Sequence, residues 1–345
     1  MGHATRCVPV IHALLFYEYK VLIAATPQQK IFFEKEFPTI VCIDLKGYGI
    51  TYSKRRWLFP FRVMLQMPKI FSVINYEHKW LQKIIDEYKI DLVISDNRYG
   101  LYSKKIPCIF ITHQLKIKSA FRWVEKLLQL NNYRHIEKFD YCWIPDTNTK
   151  NNLSGELSHP KKLPNIPVHY IDLLSRFEKN ISATIKYDYC IVLSGPEPQR
   201  TILENKILKD IHQLKDKILL VRGLPANKED LPSTENVEIK NHLPGMQLQQ
   251  AFQQSEYIIS RSGYTTVMEV LSLSKKSILI ATPGQTEQEY LSKILLEQNL
   301  CYCISQKNFN IVTAIQQAKK FPYSTISLPV FRKENLQQLL SQIKF

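Results

Sequence analysis

The 345-residue sequence contains no run of eighteen apolar residues, so it predicts no transmembrane helix. Its first twenty residues lack the basic start, apolar block and small-residue cleavage site of a signal peptide, and we therefore expect a cytoplasmic protein. No spacing suits a metal, because Cys301 and Cys303 take alternate positions on one predicted strand. The seven cysteines lie mostly in apolar runs, which indicates reduced core thiols. We predict neither a metal nor a cofactor.

Acidic residues are absent from two windows, 46–76 and 98–124, and the whole chain has a formal net charge of +15. Basic residues among exposed aromatics suit an anionic membrane surface or a nucleic acid. The alternative is that the aromatics belong to the core and the charges are simply solvated. Because no helix-turn-helix, RNA-recognition or zinc signature is present, we expect no nucleic acid. We predict instead that the two windows contact an anionic membrane, at the inner face of the cell membrane.

Short apolar strands alternate with helices along the chain, which predicts an α/β fold of doubly wound parallel sheets. The length suffices for two domains. Asn, Ser and Pro residues interrupt the stretch 146–180, and we place the boundary near residue 172, giving domains 1–172 and 173–345. Ligands of such sheets lie beyond the carboxyl ends of the strands. His3, Asp96 and His113 are predicted to occupy such ends.

One stretch organises the second half. A predicted strand, 257–260, is followed by Arg261, Ser262 and Gly263 and then by a predicted helix, 265–273. The unpaired N–H groups and the dipole of a helix start favour an anion, most often a phosphate. Glu269, one to two turns into the helix, is placed to accept hydrogen bonds from ribose hydroxyls. The alternative is an ordinary capped helix with a solvated glutamate.

Two further turns carry polar groups. The turn 283–290 contains Gln285, Gln288 and Glu289, whose amides and carboxylate suit the hydroxyls of a sugar. The turn 194–200 follows a predicted strand, and its glycine allows close backbone approach to a phosphate. Ser194, Gly195 and Arg200 are its candidate ligands, with Arg200 adding charge.

These residues together resemble the donor-sugar site of glycosyltransferase family 28. The family's pattern is Arg-Ser-Gly, then a Glu, then Gln-Gln in the next strand-to-helix turn; here Glu269 and Gln288 fit, while Glu289 replaces the second Gln. That departure leaves the donor sugar open. The family includes the N-acetylglucosaminyltransferase of lipid-linked peptidoglycan precursors. The resemblance implies a GT-B fold, in which two Rossmann-like domains face each other across a cleft that holds the active site.

The resemblance also implies an activity. The protein is expected to be an inverting, metal-independent hexosyltransferase that moves a sugar from a nucleotide-diphosphate donor, a UDP-sugar, to a lipid-linked or surface-glycan acceptor. We predict His3 as the catalytic base, with His113 as second candidate; for each the alternative is a structural, hydrogen-bonded histidine. The alternatives for the whole protein are a sugar-nucleotide epimerase of the same fold and a basic nucleic-acid-binding protein. The predicted donor-binding residues are Ser194, Gly195, Arg200, Leu243, Arg261, Ser262, Gly263, Thr265, Glu269, Gln285, Gln288 and Glu289.

The chain begins in an unusual way for this family, whose members start with a strand and a glycine-rich turn. Gly2-His3 resembles the end of that turn, and a helix, 7–16, is predicted to follow with Pro9 in its first turn. We therefore expect that the first strand of the sheet is missing and that the chain is shortened at its N-terminus. Loss of a central strand would leave its two neighbours without hydrogen-bond partners.

Overall fold

The computed structural model describes residues 2–49, 59–119, 122–179, 183–225 and 231–344, with the backbone alone for 59–67 and 122. The described chain forms two compact units. Unit 1 runs to Arg176 and resumes at Pro329, and unit 2 comprises Phe177–Leu328. The domain boundary near residue 172 stays a prediction; the chain passes from one unit to the other four residues later, and its last residues return to unit 1.

The helices and strands alternate along most of the chain. The described helices are α1 (Gly2–Phe16), α2 (Pro27–Glu36), α3 (Phe59–Tyr88), α4 (Arg122–Ile136), α5 (Gln199–Asp210), α6 (Gly245–Gln253), α7 (Tyr264–Ser272), α8 (Thr286–Glu297), α9 (Ile311–Lys320) and α10 (Lys333–Leu340). The described strands are β1 (Leu22–Ala25), β2 (Val41–Asp44), β3 (Val93–Asp96), β4 (Cys108–Ile111), β5 (Tyr141–Ile144), β6 (Val168–Tyr170), β7 (Tyr187–Val192), β8 (Ile218–Val221), β9 (Val237–Lys240), β10 (Ser255–Arg261), β11 (Lys276–Ala281) and β12 (Tyr302–Ser305).

Unit 2 is built on one parallel sheet of six strands in the order β12-β11-β10-β7-β8-β9. Its inner strands are buried on both faces; every residue of β8 is buried. Such strands must be apolar throughout, which explains the short continuous apolar runs in the sequence. The predicted doubly wound α/β class is confirmed. The strand order reverses direction between β7 and β10, so this pair forms the topological switch point of the sheet.

Unit 1 contains two parallel sheets rather than one. One consists of β1 and β2, and the other has the order β3-β4-β5-β6. Strand β6 lies in the stretch 146–180, where we expected no long element, and its three residues are too few to show a periodicity in the sequence. In unit 2, α9 was likewise not predicted.

The first helix begins earlier than predicted. It starts at Gly2 rather than at residue 7, so Pro9 lies in the helix interior and not in the first turn. A proline there costs about 3 kcal/mol or more through the lost hydrogen bond and ring clash. Ala4, Val8 and Ile11 are nonetheless buried in one apolar cluster, and burial of such side chains favours the helix by about 1.5–3 kcal/mol each for the larger ones. Packing therefore outweighs the local preference.

Candidate functional site

The carboxyl ends of β7 and β10 lie side by side at the switch point of unit 2. Ser194 and Gly195 follow β7 in an exposed turn, while Ser262 and Gly263 follow β10. Gly195 has φ +106°, a conformation that side chains rarely adopt, and a Cβ there would meet no atom within 4 Å. The backbone is therefore open to a ligand at this point. The structure brings two of the three predicted turns together at the place where doubly wound sheets bind ligands.

Arg261 is the last residue of β10 and is only 2% exposed. Its guanidinium donates to the carbonyl of Gln199 at 2.7 Å and to that of Ala281 at 3.5 Å, while its Nε has no hydrogen-bond partner. No carboxylate within the described ranges forms an ion pair with it. Burial lowers the pKa of Arg261 to about 10. A buried cation without a counter-charge is costly, and a bound anion would supply that charge.

The helix that follows begins at Tyr264, one residue before the predicted start, with Gly263 as its N-cap. Gly263 has φ −70° and ψ 138° and no side chain to cover the helix start. The dipole of α7 therefore adds partial positive charge to the same strand end that carries Arg261. Thr265 is half-buried in the first turn, and Glu269 is 5% exposed one turn further along.

Ser262 joins this helix start to the next turn instead of facing a ligand. It is fully buried, and its hydroxyl donates to the carbonyl oxygen of Gln288 at 3.1 Å. The Gln288 side chain accepts from the amide of Thr282 at 2.9 Å and donates to Oε1 of Gln285 at 2.5 Å. A Cβ on Gly263 would lie 3.9 Å from Nε2 of Gln288. The predicted sugar-binding amides are thus held directly beside the α7 start, and the Ser262 hydroxyl fixes that arrangement, while donor binding at Ser262 stays a prediction.

Glu289 also stabilises the turn before α8. Its Oε1 accepts from the amide of Gly284 at 3.2 Å, and Gln285 is the N-cap of α8. Leu243, the residue predicted beside the nucleotide base, is half-buried and packs against the cluster that contains Phe252.

Arg200 does not take the position that the sequence suggested. It is 6% exposed, and its guanidinium donates to Glu197 at 2.6 Å, Glu204 at 3.1 Å and Thr201 at 2.7 Å. Arg222 donates to the same Glu204 at 2.5 Å. With its donors committed to these groups, Arg200 stabilises the turn and the start of α5 from within, and we do not assign it to a phosphate. The carboxylate of Glu204, four residues further along the helix, is the sequence signal that could have predicted this pairing.

Unit 1 gathers a second cluster at the ends of β3 and β4. Arg6, on the first turns of α1, is 2% exposed and donates through Nε to Oδ2 of Asp96 at 2.8 Å and through a second nitrogen to Oδ1. A third nitrogen of Arg6 contacts Nδ1 of His113 at 3.0 Å. Nδ1 of His3 lies 3.2 Å from Asp96 Oδ1. His3, Asp96 and His113 were all predicted at strand ends; His3 instead lies in the first turn of α1, and Arg6 was missed.

The charges and hydrogen bonds of this cluster determine the ionisation of Asp96 and the tautomer of His113. Burial opposes ionisation of Asp96, but Arg6 and His3 lower the pKa of its carboxyl well below the ordinary value. Because a guanidinium has no acceptor, Nδ1 of His113 must be the acceptor, which places the proton of the neutral ring on Nε2. His113 is 5% exposed, whereas the His3 side chain is 49% exposed. Of the two predicted bases, His3 is the one that a second substrate can reach.

The predicted membrane windows are described in part. Residues 50–58 and 120–121 lie outside the described residues, and so do the side chains of 59–67 and 122. Beyond them, α4 exposes three large apolar residues at helical spacing: Trp123 at 64%, Leu127 at 58% and Leu130 at 59%. Lys126 and Arg134 are exposed on the same face. In the part of the chain that is described, no helix has the length and apolar character needed to cross a bilayer.

The comparisons with known proteins agree with this geometry. Residues 190–326 match the glycosyltransferase family 28 C-terminal domain. A curated relative, the UDP-N-acetylglucosamine–N-acetylmuramyl-(pentapeptide) pyrophosphoryl-undecaprenol N-acetylglucosamine transferase of Sulfurihydrogenibium sp. (strain YO3AOP1), is 26% identical over 123 residues. That alignment covers 35% of this chain and spans about a third, 34%, of the relative's length.

Solved structures match over nearly the whole chain. The spinosyn rhamnosyltransferase SpnG complexed with thymidine diphosphate has a TM-score of 0.62 at 15% identity, covering 99% of this chain and 97% of its own. MurG of Acinetobacter baumannii has a TM-score of 0.50 at 14% identity, covering 92% and 87%. At these identities the likeness shows the fold, which is GT-B as predicted. The chain thus combines the GT-B fold with a stretch, residues 190–326, that is similar to the family 28 C-terminal domain.

We expect Asp96→Asn to lower the free energy of unfolding at pH 7 by about 3–5 kcal/mol, because it leaves the buried Arg6 cation without its counter-charge. Since the folded-state pKa of Asp96 is lowered, its contribution is fully present above the ordinary carboxyl pKa of about 4 and is lost as the pH falls below that value. The difference in the free energy of unfolding between wild type and Asp96→Asn, measured by urea denaturation, should therefore become smaller below about pH 4.

The control for this measurement is Asp86→Asn. Its ion pair with Lys105 is exposed, with side-chain exposures of 64% and 54%, and its loss should cost less than about 1 kcal/mol. Equal effects of the two substitutions would contradict the buried ion pair.

Proposed function

We propose that this family 28-like chain is an inverting glycosyltransferase that moves a sugar from a nucleotide-diphosphate donor, a UDP-sugar, to a lipid-linked or surface-glycan acceptor. The observation that carries the proposal is the buried guanidinium of Arg261 beside the start of α7, which pairs with no carboxylate among the residues that the structure describes. It lies within the stretch that matches the family 28 C-terminal domain. The name of the curated relative supports a UDP-sugar as donor and a lipid-linked acceptor.

Unit 2 would hold the donor. The diphosphate would lie at the switch point against Gly195, Gly263 and Arg261, and Glu269 would accept hydrogen bonds from the ribose. When the bond between the sugar's anomeric carbon and the diphosphate oxygen breaks, negative charge grows on that oxygen. Arg261 and the start of α7 are both fixed at the end of β10, so they would stabilise the departing group there without reorganising.

The sugar itself would contact the turn before α8. Gln285, Gln288 and Glu289 are half-buried and tied to one another or to the turn backbone, so their remaining polar atoms have fixed directions. Fixed donors and acceptors discriminate between hydroxyl configurations better than mobile ones. We therefore assign selection of the sugar to this turn.

Unit 1 would supply the base. In a single displacement the acceptor hydroxyl oxygen forms a bond to the anomeric carbon, and its proton must leave. His3 would take that proton on Nε2, while its Nδ1 is held by the ionised Asp96. Arg6 keeps Asp96 ionised and in place. His113 is bound to Arg6 and positions that side chain.

The exposed face of α4 would hold the protein at the cytoplasmic face of an anionic membrane, where a lipid-linked acceptor resides. Trp123, Leu127 and Leu130 would enter the interfacial layer, and Lys126 and Arg134 would contact lipid phosphates.

Arg261→Met should abolish the thermal shift that UDP gives the wild-type protein while leaving the unliganded protein as stable or more stable. Replacing an unpaired buried cation by an apolar side chain of similar size removes a desolvation cost, but it also removes the counter-charge for the diphosphate. Differential scanning fluorimetry with UDP and with uridine measures both effects.

The matched control is Glu269→Ala, which should weaken the binding of UDP and of uridine alike because the ribose is common to both. If Arg261→Met lowered uridine and UDP binding equally, Arg261 would not contact the diphosphate.

His3→Ala should reduce kcat by about 10²–10⁴-fold with UDP-N-acetylglucosamine as donor and leave the donor KM within about twofold. The reason is that a general base acts on the acceptor proton and not on donor affinity. Release of UDP in the presence of a lipid-linked saccharide acceptor gives both constants.

His12→Ala is the control on the same helix, since His12 is exposed and its ring packs at a tilt against that of Phe37, with centroids 4.9 Å apart, outside the His3 cluster. A His3→Ala variant that retained wild-type kcat would exclude His3 as the base.

Replacing Trp123, Leu127 and Leu130 by serine should reduce the fraction of protein that sediments with vesicles containing phosphatidylglycerol by about tenfold or more, because three exposed apolar anchors are lost. Binding of the wild type should weaken as salt rises, since lipid phosphates are screened.

Replacing Ile185 and Ile202 of unit 2, which are 51% and 41% exposed, is the matched control. Equal sedimentation of all three proteins would remove α4 from the membrane contact.

A further inference from the structure

The sheet of unit 2 carries three polar side chains at the carboxyl ends of adjacent strands, on the face that α5 and α9 cover. Ile259 of β10, Ile280 of β11 and Ile304 of β12 pack into one apolar cluster with side chains of both helices. Because side chains alternate along a strand, the residues two positions further on belong to the same face. Those residues are Arg261, Thr282 and Gln306.

Gln199, the first residue of α5, joins two of these side chains. Its carbonyl oxygen accepts from the Arg261 guanidinium at 2.7 Å, and its Oε1 accepts from Nε2 of Gln306 at 2.9 Å. Arg261 also donates to the carbonyl oxygen of Ala281, the residue before Thr282, at 3.5 Å. The three side chains therefore converge beside the start of α5.

Each of the three side chains is at least nine-tenths buried and has one polar atom that no protein group satisfies. Arg261 and Thr282 are 2% exposed, and Gln306 is 5% exposed. Among the residues that the structure describes, Nε of Arg261, Oγ1 of Thr282 and Oε1 of Gln306 have no hydrogen-bond partner. Buried polar groups are nearly always hydrogen-bonded, so three such atoms at one place indicate a bound species.

The charges around this cluster favour an anion over water. Arg261 forms no ion pair with a carboxylate of the described chain, and the ammonium of Lys206 donates to the carbonyl oxygen of Gln306 at 2.8 Å. The buried carboxylate of α5, Glu204, is bound by Arg200 and Arg222. The start of α5 adds the partial positive charge of its dipole. An anion would supply the counter-charge that these groups share.

The unsatisfied groups can all act as donors. Arg261 offers its Nε–H, and Thr282 offers its hydroxyl. The amides of Gln199 and Gln306 bond to each other, and a half-turn of both keeps that bond while Nε2 of Gln306 takes the position of Oε1. A ligand at this point then meets three donors. Because all three side chains are buried, the ligand must be small.

We propose that Arg261, Thr282 and Gln306 form a halide site, which binds one chloride ion as an internal counter-ion. The ion accepts hydrogen bonds from Nε of Arg261, Oγ1 of Thr282 and Nε2 of Gln306. The halide site shares Arg261 with the proposed donor site, so a bound chloride lowers the positive charge that a diphosphate meets. Its existence does not depend on the proposed function, because it needs no nucleotide.

The test compares the Tm of the full chain in sodium chloride, sodium bromide and sodium gluconate at one ionic strength. Gluconate is too large for a buried site and controls for screening of the +15 net charge. Relative to gluconate, chloride and bromide should raise the Tm in a saturable way, by about 2–4 °C at roughly five times their Kd. The same Tm in all three salts would overturn the proposal.

Gln306→Glu places a carboxylate beside Arg261, so it should abolish the halide-dependent rise in Tm. The matched control is Gln316→Glu, an exposed position on α9, which adds the same charge to unit 2 and should keep the full rise. Should Gln306→Glu fold poorly, Thr282→Val removes one donor at nearly constant shape and should raise the Kd of chloride by about tenfold. A halide response that both variants retain at wild-type strength would exclude the site.

Crystals soaked in bromide locate the ion directly through its anomalous scattering. We expect a peak in contact with Arg261, Thr282 and Gln306, and no peak there in Gln306→Glu. An ordered water only at this position in the bromide-soaked wild type would mean that the cluster is satisfied by solvent, and the proposal would be wrong.

Discussion

The rest of unit 2 depends on the buried positive charge of Arg261, which no carboxylate neutralises in the part of the chain that the structure describes. Arg261 ends the strand at which the sheet order reverses, and the turn after β7, the start of α7 and the turn before α8 all converge on this region. Folding must supply the desolvation free energy of that guanidinium. The apolar packing around the six-stranded sheet, whose inner strands are buried on both faces, supplies that free energy.

The buried arginine of unit 1, in contrast, forms an ion pair with a carboxylate. Arg6 is as deeply buried as Arg261, but Asp96 neutralises its charge, and Nδ1 of His113 accepts a hydrogen bond from its third nitrogen. The charge of Arg6 therefore keeps a carboxylate ionised beside His3. Within the described residues, unit 2 has a buried cation that no carboxylate pairs, whereas unit 1 has a buried cation that an aspartate pairs. The difference lies in one residue, the carboxylate at the end of β3.

Local sequence patterns predicted unit 2 better than unit 1. Arg261, Gly263, Glu269 and the turn before α8 lie on adjacent strand ends, so a motif read along the chain also describes their neighbourhood in space. The pairing of Arg6 with Asp96 joins residues 90 positions apart, and no spacing rule predicts it. The place of Arg200 in the turn suggested a phosphate ligand, whereas Glu197 and Glu204, three and four residues away, take up its donors. The early start of α1 follows from tertiary burial, which overrides the local penalty at Pro9.

The return of the chain's end to unit 1 has a consequence for how the protein can be divided. Leu173 pairs with Val330 in a β-bridge, and the amides of Leu173 and Phe331 bond across it at 3.2 and 3.0 Å. Unit 2 is thus an insertion whose entry and exit strands are fastened together, as in proteins that tolerate domain grafting. A chain that ended after residue 326 would lack α10, which packs against α1. Removing residues 177–328 as a block and joining the two sides of the bridge with a short linker leaves the packing within each unit intact. The natural modules of this polypeptide are therefore nested rather than consecutive.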